Sequence, residues 1–181
     1  LGTATRGTRR EFPAVAVIVA EAEQVTIYDG DDPDLPMWMV FNKSTTGTVA
    51  SFISYPNIVP SSIFMQNGIL YVALSSGGWG VSHIGFVSDY QKWYWSSGTY
   101  EQIANGIINR NISSYWKTIS TASTAQIVNA NVNDVAMTVL PNAPIDTATG
   151  LPIPTIAVAT ESGVSVVRDD GNVVDLIQNS P

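Results

Sequence analysis

Ser62-Ile63-Phe64-Met65-Gln66-Asn67-Gly68-Ile69-Leu70-Tyr71-Val72-Ala73-Leu74 is the stretch on which the fold turns. Two runs of β-branched, aromatic and aliphatic residues flank Asn67-Gly68, the dipeptide best suited to positive φ at both central positions of a type I′ turn. The stretch therefore predicts a hairpin, with residues 62–65 as one arm and 69–74 as the other. Ser75-Ser76-Gly77-Gly78 then turns the chain, residues 80–87 return, and the aromatic run 90–95 adds a fourth strand. The same order of strand, tight polar turn and alternating strand occurs twice more. Val17-Ile18-Val19-Ala20 and Val25-Thr26-Ile27-Tyr28 flank the turn Glu21 to Gln24, and Met37 to Phe41 follows as a buried strand. Thr155-Ile156-Ala157-Val158-Ala159 and Gly163-Val164-Ser165-Val166-Val167 flank the turn 160–162, preceded by a strand at 135–140 and followed by one at 173–177. A hairpin cannot bury its own face, so a recurring one must stack against its neighbours.

The expectation is an all-β chain: a β-propeller-like repeat of antiparallel four-stranded blades, amounting to a partial propeller, with a β-sandwich as the alternative. The divisions are 1–12 as a linker or tether, 13–58 as a first unit and 59–95 as a second. Residues 96–132 form a polar linker or diverged unit, and 133–181 the third unit. Within the third unit, residues 141–154 hold too many prolines for a ladder and predict a long loop.

The composition agrees. Of 181 residues, 45% are hydrophobic and 13% charged, which excludes a disordered segment. A net charge of −7 argues against a nucleic-acid backbone as partner, because phosphate binding needs a basic face. No run of about 18 apolar residues occurs, so no helical membrane span is expected. The absence of cysteine excludes disulfides, thiolate nucleophiles and cysteine metal sites. Leu1 to Arg10 has no signal-peptide pattern, and the expectation is an internal or C-terminal piece of a longer polypeptide.

The repeated unit resembles the blade of WD40-like or lactonase-like β-propellers. Residues 35–41, 67–72, 131–137 and 156–166 further resemble stretches of propeller-bearing phage tail or tail-fibre proteins of marine viral type. The resemblance implies a non-catalytic structural or adhesion module of a virion tail. Its partners would be other blades or subunits of the same assembly and a host-surface receptor or glycan.

Three groups of residues are candidates for chemistry. Asp29, Asp31, Asp32 and Asp34 form an acidic loop of the kind hard cations favour, which points to calcium as a cofactor against no cofactor at all. The loop departs from an EF-hand, with proline at its fifth position and leucine at its seventh, and a solvated turn between two strands is the favoured reading. Trp79, Trp93 and Trp95 could stack on a ligand such as a sugar, or fill space between blades. Alternation puts Trp93 and Trp95 on one face and Tyr94 on the other, while Trp116 adds to the aromatic content. His83 is the only histidine, and its place on an alternating strand favours a structural or exposed role. Glu21, Glu23 and Glu161 sit in turns as solvated carboxylates. No nucleophile elbow, phosphate loop or dinucleotide fingerprint occurs, so the chain reads as a non-enzyme. The rival reading is a propeller hydrolase, lactonase-like or glycan-cleaving, drawing on Asp29, Asp31, Asp134 and His83.

Overall fold

A computed structural model describes residues 7–22, 24–42, 59–75, 79–103, 117–122 and 125–177. The described residues form three antiparallel sheets and no helix, and in each sheet the strands lie side by side in chain order. The first sheet holds β1 (Ala16–Glu21), β2 (Gln24–Asp29) and β3 (Met37–Asn42). The second holds β4 (Pro60–Gln66), β5 (Ile69–Leu74), β6 (Val81–Gly85), β7 (Tyr90–Trp95), β8 (Gly98–Ile103) and β9 (Lys117–Ala122). The third holds β10 (Val132–Thr138), β11 (Thr155–Thr160), β12 (Gly163–Val167) and β13 (Val173–Leu176).

The all-β expectation and the central hairpins hold. Asn67 and Gly68 have φ of 52° and 73°, the two positive values a type I′ turn requires, and Gln66 pairs with Ile69 across them. The expected four-stranded unit describes the third sheet only. The second sheet has six strands because residues 98–103 pair onto β7 and residues 117–122 onto β8, both within the 96–132 stretch. Trp95 pairs with Gly98, so Ser96-Ser97 makes a two-residue turn of the kind that joins adjacent strands. The first sheet has three strands among the described residues. Residues 76–78, and most of the polar stretch 42–51, lie outside the described residues.

The second sheet is the middle layer. Along β5, Leu70, Val72 and Leu74 point one way and join Val25, Ile27, Trp38, Met39 and Phe41 of the first sheet in one core. Tyr71 and Ala73 point the other way, into a second core with Val135, Met137, Ile156, Val158 and Val167 of the third sheet. That is why β5 reads as a nearly continuous apolar run: a strand covered on both faces needs no polar alternation. Each fully buried Val, Leu or Ile contributes about 1.5–3 kcal/mol of transfer free energy, so these two cores hold the layers together.

Hydrogen bonds stitch the seam between the second and third sheets. Ser61 Oγ donates to the Val132 carbonyl at 2.6 Å and Gly80 N to the Ala130 carbonyl at 3.0 Å. Asn67 Nδ2 donates to the Pro152 carbonyl at 2.9 Å, tying the hairpin turn to the proline-rich loop. Residues 7–12, read from the sequence as tether, lie against the first sheet. Phe12 packs 4.9 Å from both the Trp38 and Phe86 rings, and Trp38 Nε1 donates to the Glu11 carbonyl at 2.6 Å.

Candidate functional site

The acidic loop closes the end of β2; Asp29 is buried, while Asp31, Asp32 and Asp34 are exposed. Arg9 Nη1 donates to both oxygens of Asp29 at 2.8 Å and to Asp31 Oδ2 at 2.9 Å. The amides of Ala14 and Val15 each donate to Asp31 at 2.9 Å. Those two amides, together with the Arg9 guanidinium, hold the Asp31 carboxyl below its ordinary pKa, as donors to a carboxylate must. Asp32 accepts from the Asp34 amide at 3.0 Å in a local turn. A calcium ion here would have to displace Arg9 from Asp29 and Asp31. Sequence reasoning had no signal for Arg9, which lies 20 residues from Asp29.

The tryptophans do gather. Trp79 stands 5.5 Å from Trp95 and 6.4 Å from Trp93, ring centre to ring centre. Trp93 is 4% exposed, and Trp79 packs onto the core shared by the first two sheets. Tyr94 points to the opposite face, into the core shared with the third sheet, as strand alternation requires. Trp93 is the buried member of this cluster, while Trp79 and Trp95 are half-buried. Trp116 and Glu23 lie outside the described residues.

The four side chains of the hydrolase reading fall in three separate places. Asp29 and Asp31 share Arg9, and Asp134 accepts from Ser62 Oγ at 2.5 Å at the seam. His83 lies in neither place. Glu21 ends β1 and Glu161 sits in the turn after β11, bonded to Gln24 Nε2 at 2.5 Å and Asn131 Nδ2 at 3.0 Å respectively.

His83 leads to a different site. It is 5% exposed, and each ring nitrogen meets a phenol: Nδ1 lies 2.6 Å from the Tyr71 hydroxyl and Nε2 2.7 Å from that of Tyr90. A neutral imidazole has one N–H and one lone pair, so one tyrosine donates to it and the other accepts. Burial, reinforced by the nearby Tyr94 and Tyr90, pushes the Tyr71 hydroxyl well above the ordinary phenol pKa and keeps it protonated. Beyond this chain of three side chains, the second and third sheets part to leave a cleft of about 370 Å³. Its floor is Ile69, Ile156 and Val167. Lys92 and Tyr90 line one wall, and Arg168 and Asp169 the other. The loop that follows β10 roofs it, held in shape by an Ile145–Pro152 bridge and by Thr149 Oγ1 and the Ala148 amide bonded to Asp146.

No family model matches this chain, and comparison with curated proteins and with solved structures finds no match.

The cleft has the form of a small-molecule site: concave, with an apolar floor and a few polar groups convergent on it. Its volume falls in the usual range of about 300–1,000 Å³. Tyr71, Tyr90, Lys92 and Arg168 were not singled out by the sequence. They come from β5, β7 and the end of β12, and only the face-to-face stacking of two sheets assembles them. The one available signal was alternation, which places Tyr90, Lys92 and Tyr94 on a common face of β7.

Proposed function

We propose that this chain is a non-catalytic structural or adhesion module of phage tail or tail-fibre type, working through protein–protein and receptor contacts. In this reading its three sheets are successive blades of a propeller-like array. The supporting observation is that, among the described residues, both outer faces of the stack carry exposed aliphatic side chains beside their polar ones. On the first sheet Val17 and Val19 point outward and are 41% and 37% exposed. On the third, Ala157 pairs with Val166 and Val166 with Val174, while Ala159 pairs with Val164 and Val164 with Leu176. All six stand on the face opposite Ile156 and Val158, which point into the core. A terminal sheet meant for water alternates apolar-in with polar-out, whereas here these six aliphatic side chains share the outward face with Asp134, Thr138 and Thr155. Neighbouring sheets of the same assembly would cover such faces, as blades cover one another.

Immunogold labelling of virus particles with an antibody against this chain tests the reading. Label confined to tails is the expected result. Antigen recovered solely as free protein, never with particles, would overturn it.

A further inference from the structure

Assembly through the outer faces leaves the cleft between the second and third sheets without a role. Its charged groups are of both signs: Lys92, Arg168, Asp146 and Asp169 all line the same cleft of about 370 Å³. A strongly anionic ligand would meet the two carboxylates, and a cation would meet the two basic groups, so neither is favoured by the field as a whole. A neutral molecule bearing many hydroxyls on a compact frame uses both. Its O–H groups donate to the carboxylates, and its oxygens accept from Lys92 and Arg168 in charge-assisted hydrogen bonds. The Tyr90 hydroxyl can serve such a ligand as well. Its ring, like the apolar floor of Ile69, Ile156 and Val167, suits the C–H face of a pyranose.

The walls are also set in advance, which lowers the ordering cost of binding. His83 Nε2 holds the Tyr90 hydroxyl at 2.7 Å, and Tyr71 holds His83 at 2.6 Å. Asn67 Nδ2 pins the roof through the Pro152 carbonyl at 2.9 Å. We infer that this cleft binds a short neutral saccharide, with Lys92, Arg168 and Tyr90 donating to its oxygens and Asp169 accepting from its hydroxyls. The inference deepens the receptor-contact part of the proposed function and assigns it to a place. It moves sugar recognition away from Trp79, Trp93 and Trp95.

Saturation-transfer NMR on the whole chain tests it. The probes are methyl glucoside, methyl galactoside, N-acetylglucosamine and lactose, with glucosamine and N-acetylneuraminic acid as charged controls. The chain's net charge of −7 makes the cationic glucosamine the more demanding control. At least one neutral sugar should bind saturably with a Kd on the order of 1 mM, and Tyr90→Phe and Lys92→Met should each weaken it about tenfold. Should a variant not fold, amide shifts in the parent chain decide, moving at Tyr90, Lys92 and Arg168 upon titration. The inference fails if no neutral sugar saturates, if a charged control binds tighter than all of them, or if shifts cluster at Trp79 and Trp95 instead. Failure here leaves the tail-labelling result unaffected, and the reverse also holds.

Discussion

Two tyrosine hydroxyls meet the two nitrogens of His83, so the pair of sheets that buries this imidazole leaves it no unanswered polar atom. Replacing it with an apolar residue removes that partner from the hydroxyl of Tyr71, a residue only 2% exposed. His83→Leu should therefore cost about 1–3 kcal/mol in urea unfolding, and adding Tyr71→Phe should recover part of the loss. Equal stability for His83→Leu and the parent would show that the network contributes nothing. The titrating groups set the pH limits. Tyr71 has its pKa raised in the fold, so its contribution is complete below the unfolded phenol value of about 10 and is lost as pH rises beyond it. Asp31, Asp146 and Asp170 are held below their ordinary values by hydrogen bonds from backbone amides and neighbouring side chains. Their contribution is present above about pH 4 and lost as pH falls. All three are solvent-facing, so the acid limb should be shallow and the alkaline limb steep. Melting temperature against pH checks this. An alkaline limb that Tyr71→Phe leaves unchanged would refute the assignment to Tyr71.

Among the elements, the hairpins were legible because turn chemistry marks their ends. Asn67-Gly68 announces a type I′ turn, and Gly68 has both the required φ of 73° and little room: an added Cβ would lie 3.0 Å from Val87 Cγ2. Gly68→Val should destabilise the protein by about 1–3 kcal/mol, seen as a lower urea midpoint at unchanged slope. No change in the midpoint would mean that this turn does not hold the hairpin. Gly80 carries no such signature in sequence, where it reads as the start of a strand. In the fold its φ is 68° and a Cβ would run into the Tyr94 carbonyl oxygen, while its own N–H reaches Ala130 across the seam. Gly80→Ala should thus cost about 2–4 kcal/mol, more than Gly68→Val, because backbone strain and a backbone clash act together. A Gly80→Ala protein that melts with the parent would place the seam elsewhere. The strands at 98–103 and 117–122 were not legible as such, since Thr99, Glu101, Gln102, Thr118 and Ser120 give no apolar alternation to mark a buried face. The cleft was hidden for another reason. Its side chains belong to different elements, and spacing along a sequence does not encode which sheets face each other.

At the scale of the whole molecule, the chain order of the strands gives three meanders, and stacking them leaves aliphatic side chains exposed on both outer sheets among the described residues. Among the described residues, the middle sheet packs on both faces, whereas each outer sheet packs on one. Leu176 is 60% exposed and Val174 38%, both on the outward face of the third sheet, beside Val164 and Val166 across the ladder. Contiguous apolar faces of this kind drive association in water. In isolation the chain should therefore form oligomers, with a light-scattering mass that climbs above 19.4 kDa as concentration rises. Val166→Lys combined with Leu176→Lys puts two like charges on that face. Desolvating them on contact is costly, so the double variant should return the mass towards that of one chain without lowering the melting temperature by more than about 4–8 °C. Val17→Lys with Val19→Lys makes the matching test on the first sheet, and separates association through one face from association through both. A parent chain that stays at 19.4 kDa throughout, with a cooperative melt, would show that the stack needs no neighbour. The blade reading would then give way to a self-contained layered sandwich.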